Sequence, residues 1–370
     1  MVKKRIVVKI GSSSLTEKDG TLSPLKLAKF CHAFAEVKKS GHELIVVSSG
    51  SVAAGFREIG YSSRPKTVRA KQAAAAVGQS LLMQQYRFSL QQYGITPAQM
   101  LLTKHDFRNA EHYQNIFESL SELLKRGILP IINENDSTAV DELTFGDNDM
   151  LSALISGVTH ADMLILMTDI DGIYNANPIS DPHAEKYTMI HKISEELFDQ
   201  TDTSTTAVGT GGMRAKLQAA KAAQKMGTAV YIGTFTESET FAHIAGFRGG
   251  GTYIVPEKEK QMQTYKQWIA YHASSHGSIT VDDGAAEALL NEGSSLLLVG
   301  VQQIEGKFDK GEVVNVYSSA GTLIGKGKAA DRSEELQHLK SLSSPPSSLV
   351  VHRDFWVSLH NSNVKEGRYI

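Results

Sequence analysis

Over residues 1–255, short aliphatic and β-branched runs alternate with helix-like stretches, and no other feature limits the fold of this chain as tightly. The strand candidates are Arg5–Ile10, Glu43–Ser48, 99–102, 128–132, Met163–Met167 and 229–232. One helix is expected from Ser23-Pro24, where serine caps and proline suits the first turn, to just before Gly41. Further helices are expected over 70–92, over 109–126 before Gly127, and over 216–226 before Gly227. This alternation predicts an α/β fold, a mainly parallel sheet sandwiched by helices. Such sheets bind ligands beyond the carboxyl ends of their strands, so chemistry is expected in the residues that follow each strand.

The pattern breaks near 256–266, where Pro256-Glu257-Lys258-Glu259-Lys260-Gln261 is polar and charged. Short strands then follow at Gly277–Val281, 293–298, 312–317, 322–328 and 349–351. The expected organisation is a first domain over 1–255, a linker over 256–274 and a small, mostly β domain over 275–358. A length of 370 residues suits two domains.

Composition excludes several classes. A formal net charge of −2 supplies no global basic field for nucleic acid. The single cysteine, Cys31, rules out an intramolecular disulfide framework and fits a reducing compartment. No stretch approaches the roughly 18 apolar residues of a membrane span, and a cytoplasmic protein is expected. There is no GxxxxGK[ST], no HExxH and no paired CxxC, and the 13 histidines lack metal spacing. His352-Arg353-Asp354 mimics a protein-kinase catalytic loop, but it lies in the β domain, and Leu359 stands where that loop needs asparagine.

The strand ends form a short list. Lys9 and Gly11-Ser12-Ser13-Ser14 end the first strand, and Ser48-Ser49-Gly50-Ser51 ends the second. Glycine-serine turns expose backbone donors and suit anions, although Lys9 also reads as a charge flanking an edge strand. Asn133-Glu134-Asn135-Asp136-Ser137 and Gly146-Asp147-Asn148-Asp149 form the densest cluster of amides and carboxylates. Such groups hold an amino-acid-like substrate, orient lysines or, through water, a magnesium ion; Asp147 or Asn148 equally caps a helix. Thr168-Asp169 follows another strand, and Gly209-Thr210-Gly211-Gly212-Met213 opens the helix that carries Lys216.

Together these motifs resemble the glutamate 5-kinases, a branch of the amino acid kinase family, over roughly 1–255. The segments Gly277-Ser278-Ile279-Thr280-Val281-Asp282-Asp283-Gly284-Ala285 and Gly306-Lys307-Phe308-Asp309-Lys310-Gly311-Glu312 resemble a PUA domain. The resemblance implies ATP-dependent phosphorylation of the γ-carboxylate of L-glutamate, the opening step of proline biosynthesis. It assigns Ser49, Asp136 and Asn148 to glutamate. Lys9, Gly11, Thr168, Asp169, Thr210, Gly211, Gly212, Met213, Arg214, Ala215 and Lys216 fall to the nucleotide. Lys9, Lys216 and Asp149 are the implied catalytic group, the two lysines on the phosphoryl group in flight and Asp149 holding them. Mg2+ is implied as a passenger on ATP without direct protein ligands. The resemblance also implies proline as a feedback inhibitor and a homo-oligomer, a tetramer. Ser48 stands where threonine is common in the family, and Leu298-Val299-Gly300 lacks the usual PUA proline. An RNA contact through the small domain has no support in the charge pattern.

Overall fold

The computed structural model describes residues 2–138, 148–176, 178, 181–201, 212–235, 240–256, 264–342 and 346–359. Two compact units emerge: Met1–Asp106 with Asn115–Gln261, and Phe107–Gln114 with Met262–Ile370.

The first unit is built on an eight-stranded sheet. Its strands include β1 (Arg5–Ile10), β2 (Glu43–Ser48), β3 (Pro97–Leu102), β4 (Leu129–Glu134) and β5 (Met163–Met167). The order is β3-β4-β2-β1-β5, followed by Ala229–Gly233, Thr252–Ile254 and Met189–Ile190. The strands from β3 through Ala229–Gly233 pair in parallel, and Thr252–Ile254 pairs antiparallel with Ala229–Gly233 and parallel with Met189–Ile190. β1 lies in the middle with Ile6, Val7, Val8 and Ile10 fully buried, as a strand covered on both faces requires.

The helix Pro24–Lys39 starts where the sequence predicts, with Lys26 N–H donating to Ser23 Oγ at 3.3 Å and proline in the first turn. Gly41, at φ +82°, supplies the left-handed residue that ends it. Polar Asn133 and Glu134, expected in a loop, extend β4 instead. They pair with Leu101 and Leu102 of β3, so ladder hydrogen bonds outweigh their turn preference. Register brings the reactive ends level: Ile10 pairs with Ser48, and Lys9 with Leu166. Among the described residues no helix is long and apolar enough to cross a membrane.

The second unit has a six-stranded sheet in the order Leu296–Leu297, Leu349–Ser358, Leu323–Ala329, Val313–Tyr317, Gly277–Val281, Val301–Gly306. Ile279, Val314, Val316, Leu336 and Val350 fill its core. Several features differ from the sequence expectation: the strand expected over 293–298 is reduced to Leu296–Leu297, and the last strand runs on to Ser358. Val301–Gly306 is a full strand, and Ser333–Ser341 is a helix. Residues Thr264–Tyr271, expected within the linker, also form a helix and fall in this unit. Val301–Gly306 has only two buried positions, Val301 and Ile304, so its edge pairing leaves no alternating signature.

Candidate active site

Three elements of the first unit converge beyond the strand ends. β1 delivers Lys9, the first turn of helix Asn148–Val158 delivers Asp149, and the first turn of helix Met213–Lys225 delivers Lys216. Lys9 Nζ lies 2.6 Å from Asp149 Oδ1, and Lys216 Nζ lies 3.0 Å from Asp149 Oδ2. Each carboxylate oxygen thus holds one ammonium, and all three side chains are buried. Burial alone pushes the Asp149 carboxyl up, but the combined attraction of Lys9 and Lys216 outweighs it and holds the group below its ordinary value. Burial, with repulsion from Lys216, pulls the Lys9 ammonium below the usual lysine range despite the pull of Asp149 and Asp169. Two cations on one anion leave the cluster one positive charge in excess, which suits a phosphoryl group gathering negative charge.

The turn after β1 lies directly beneath this cluster. A Cβ built on Gly11 would sit 3.5 Å from Lys9 Nζ, in ordinary van der Waals contact, so this turn borders the ammonium. Ser13 Oγ donates to Asp169 Oδ1 at 3.4 Å, which links the turns after β1 and β5. Thr168 N–H donates to the Gly233 carbonyl at 3.1 Å, tying the end of β5 to its neighbour.

Next to the charged cluster is an amide-rich one. The turn after β2 needs Gly50 at φ +115°, and Ser49 N–H donates to the Ile10 carbonyl at 3.1 Å. Ser51 Oγ donates to Asp136 Oδ2 at 2.9 Å. Asn148 Nδ2 donates to Ser49 Oγ at 2.9 Å and to Asn133 Oδ1 at 3.0 Å. The Glu134 backbone N–H donates to Asn148 Oδ1 at 3.2 Å. Ser49, Asp136 and Asn148, expected together, are therefore linked by hydrogen bonds among themselves and their neighbours.

The expected nucleotide residues are less uniform. Gly212 caps the helix of Lys216, and a Cβ there would meet nothing within 4 Å. Met213 and Ala215 are half-buried in that helix's first turn. Arg214 is exposed, and its guanidinium lies over the Phe198 ring, 5.7 Å from the centroid. Thr210 and Gly211 lie outside the described residues, as do Gly146 and Asp147.

Sequence reasoning missed Gln79. Its Oε1 accepts from Asn133 Nδ2 at 2.9 Å. A signal was present: Ala75, Gln79, Leu82 and Tyr86 recur at helical spacing, so one amide shares an otherwise apolar face.

Family comparison agrees with this architecture. The family model described as "Amino acid kinase family" matches residues 4–234, and the model for the PUA domain matches 277–344. The chain belongs to the amino acid kinase family. It is 50% identical over 376 residues to "Glutamate 5-kinase" of Geobacillus thermodenitrificans (strain NG80-2), covering 99% of this chain and 100% of that protein. It is 48% identical over 364 residues to "Glutamate 5-kinase 1" of Bacillus subtilis (strain 168), covering 97% of this chain and 100% of that protein.

Proposed function

We propose that this protein is a glutamate 5-kinase, transferring the γ-phosphoryl group of ATP to the γ-carboxylate of L-glutamate. The observation that carries the reading is the junction of two centres at consecutive residues. Asp149 anchors the lysine pair, and Asn148 anchors the amide cluster around Ser49. The nucleophile is an oxygen of the substrate's own carboxylate, already ionised at neutral pH, so no protein base is required. It bonds to the γ-phosphorus as the bond to the β,γ-bridging oxygen breaks; ADP leaves with that electron pair, and the product is L-glutamyl 5-phosphate. Lys9 and Lys216 neutralise charge on the group in flight, and Asp149 keeps both ammonium groups aimed. Ser49, Asn148 and Asp136 bind glutamate. Gly11, Thr168, Asp169 and the segment 212–216 line the nucleotide.

Magnesium riding on the nucleotide phosphates would supply further charge neutralisation. Among the described residues no group of three or more His, Cys, Asp or Glu side chains could hold an ion, and both oxygens of Asp149 are engaged by lysines. The Asp149 carboxylate is thus committed to the two ammonium groups. The same reading brings proline as a feedback inhibitor, a tetrameric assembly, a cytoplasmic location and entry into proline biosynthesis.

ADP release measured with glutamate, aspartate and N-acetylglutamate tests the proposal. Turnover with glutamate, reduced by added proline, is expected; turnover with another acceptor and none with glutamate overturns the substrate assignment.

A further inference from the structure

Gln79, Asn133, Asn148 and Ser49 are hydrogen-bonded in series, and the direction of every bond follows from one backbone group. The Glu134 N–H can only donate, so the Asn148 atom that faces it is the carbonyl oxygen. Asn148 Nδ2 must therefore be the donor towards Asn133 Oδ1 and Ser49 Oγ. Asn133 then has only its own Nδ2 left for Gln79, which accepts through Oε1. At the far end Ser49 Oγ already accepts, which leaves its hydroxyl hydrogen to be donated outward. That polarity suits an anionic acceptor.

Gln79 contributes only its acceptor to this series. Among the described residues its buried Nε2 has no hydrogen-bond partner, a cost that an aliphatic side chain would not incur. The helix that carries it, Val68–Gln91, is locked to the acceptor turn beside it. A Cβ on Gly78 would lie 1.9 Å from the Ser51 carbonyl oxygen, so the two backbones touch next to Gln79. Two turns further along, Tyr86 Oη lies 2.7 Å from Ser48 Oγ. Ser48 directs its own hydrogen to the Ser49 carbonyl at 2.8 Å, so Tyr86 is the donor.

We propose that Gln79 is a positioning residue for the acceptor site. It fixes the amide of Asn133, and through it that of Asn148, so that Ser49 presents a donor to the substrate carboxylate. The inference rests on the reading of Ser49 and Asn148 as acceptor-binding residues. Without the Gln79 acceptor, Asn133 Nδ2 loses its hydrogen bond, and the amide that faces Asn148 is held at one end only.

The test uses ADP release by the full chain. Gln79→Met is expected to raise the KM for glutamate roughly tenfold or more while the KM for ATP stays within about twofold. Gln79→Glu, which keeps an oxygen facing Asn133, is expected to stay within about threefold of the unaltered protein. In an Asn133→Ala background Gln79→Met should add less than about twofold, because the link is already cut. The proposal is overturned by a Gln79→Met protein with unchanged glutamate KM, by an equal rise in the ATP KM, or by full additivity with Asn133→Ala. Should Gln79→Met fail to fold, a tenfold rise in glutamate KM for Gln79→Glu overturns it. Turnover of a different acceptor by the unaltered protein would overturn the glutamate reading alone, and the series would then be tested on that acceptor's KM.

Discussion

Asp149 is a carboxylate whose two oxygens are each held by a lysine, and the chemistry of the site depends on that symmetry. Removing one ammonium takes away a preorganised charge. Lys9→Ala or Lys216→Ala should therefore lower kcat about 100- to 1,000-fold, a barrier change of about 2.7–4 kcal/mol. The glutamate KM should move only a few-fold, and steady-state kinetics separate the two. Asp149→Asn strands two neighbouring buried cations, with an expected loss of about 3–5 kcal/mol of stability, read from a denaturant titration. Lys9 also sets a pH limit. In the proposed mechanism its ammonium form is the working one, and burial lowers its pKa, so the proton leaves before the ordinary value of 10.5 is reached. The kcat should accordingly fall with rising pH below 10.5, and the residual rate of Lys9→Ala should lack that limb.

At the scale of elements, the crossing of helix Val68–Gln91 with the short helix Ser51–Gly55 decides whether the acceptor turn is in place. A Cβ on Gly55 would lie 2.1 Å from the Ala74 carbonyl oxygen, and one on Gly78 equally close to Ser51. Gly78→Ala must push two backbones apart, with an expected cost of about 1–3 kcal/mol or more. A lower melting temperature and a raised glutamate KM check this. Much at this scale was legible beforehand. The serine cap, the proline and Gly41 bracket one helix, and aliphatic runs mark the central strands, because local chemistry alone settles those features. Asn133 and Glu134 were not legible as strand, since their place is won by pairing with β3, which is distant in sequence. Lys9, Asn148 and Asp149 stood out as charged and amide groups near strand ends, and Lys216 by the glycine cluster that opens its helix. Gln79 did not, because its role depends on a contact 54 residues away.

For the molecule as a whole, acidic and basic charges nearly balance, at −2 over 370 residues, so no basic field draws in polyanions. A filter-binding titration with a single-stranded RNA oligomer should show no salt-sensitive binding at physiological ionic strength. Strong binding with a steep salt slope would mean that the second unit concentrates positive charge in a way the total conceals. The second unit was also the less legible one. Its edge strand Val301–Gly306 and the helices Thr264–Tyr271 and Ser333–Ser341 are short and weakly patterned, so tertiary packing settles them. The adjacency of Asn148 and Asp149 has a consequence for what the enzyme selects. A single peptide link, about 3.8 Å between Cα atoms, separates the anchor of the acceptor from the anchor of the phosphoryl site. On the proposed assignment of Asn148 and Asp149, that fixed link works as a gauge of side-chain length. A substrate one methylene shorter arrives about 1.5 Å short of the phosphorus. A misplacement of about 1 Å can cost a hundredfold in rate. On that assignment, discrimination between glutamate and aspartate should follow from the covalent spacing of these two anchors.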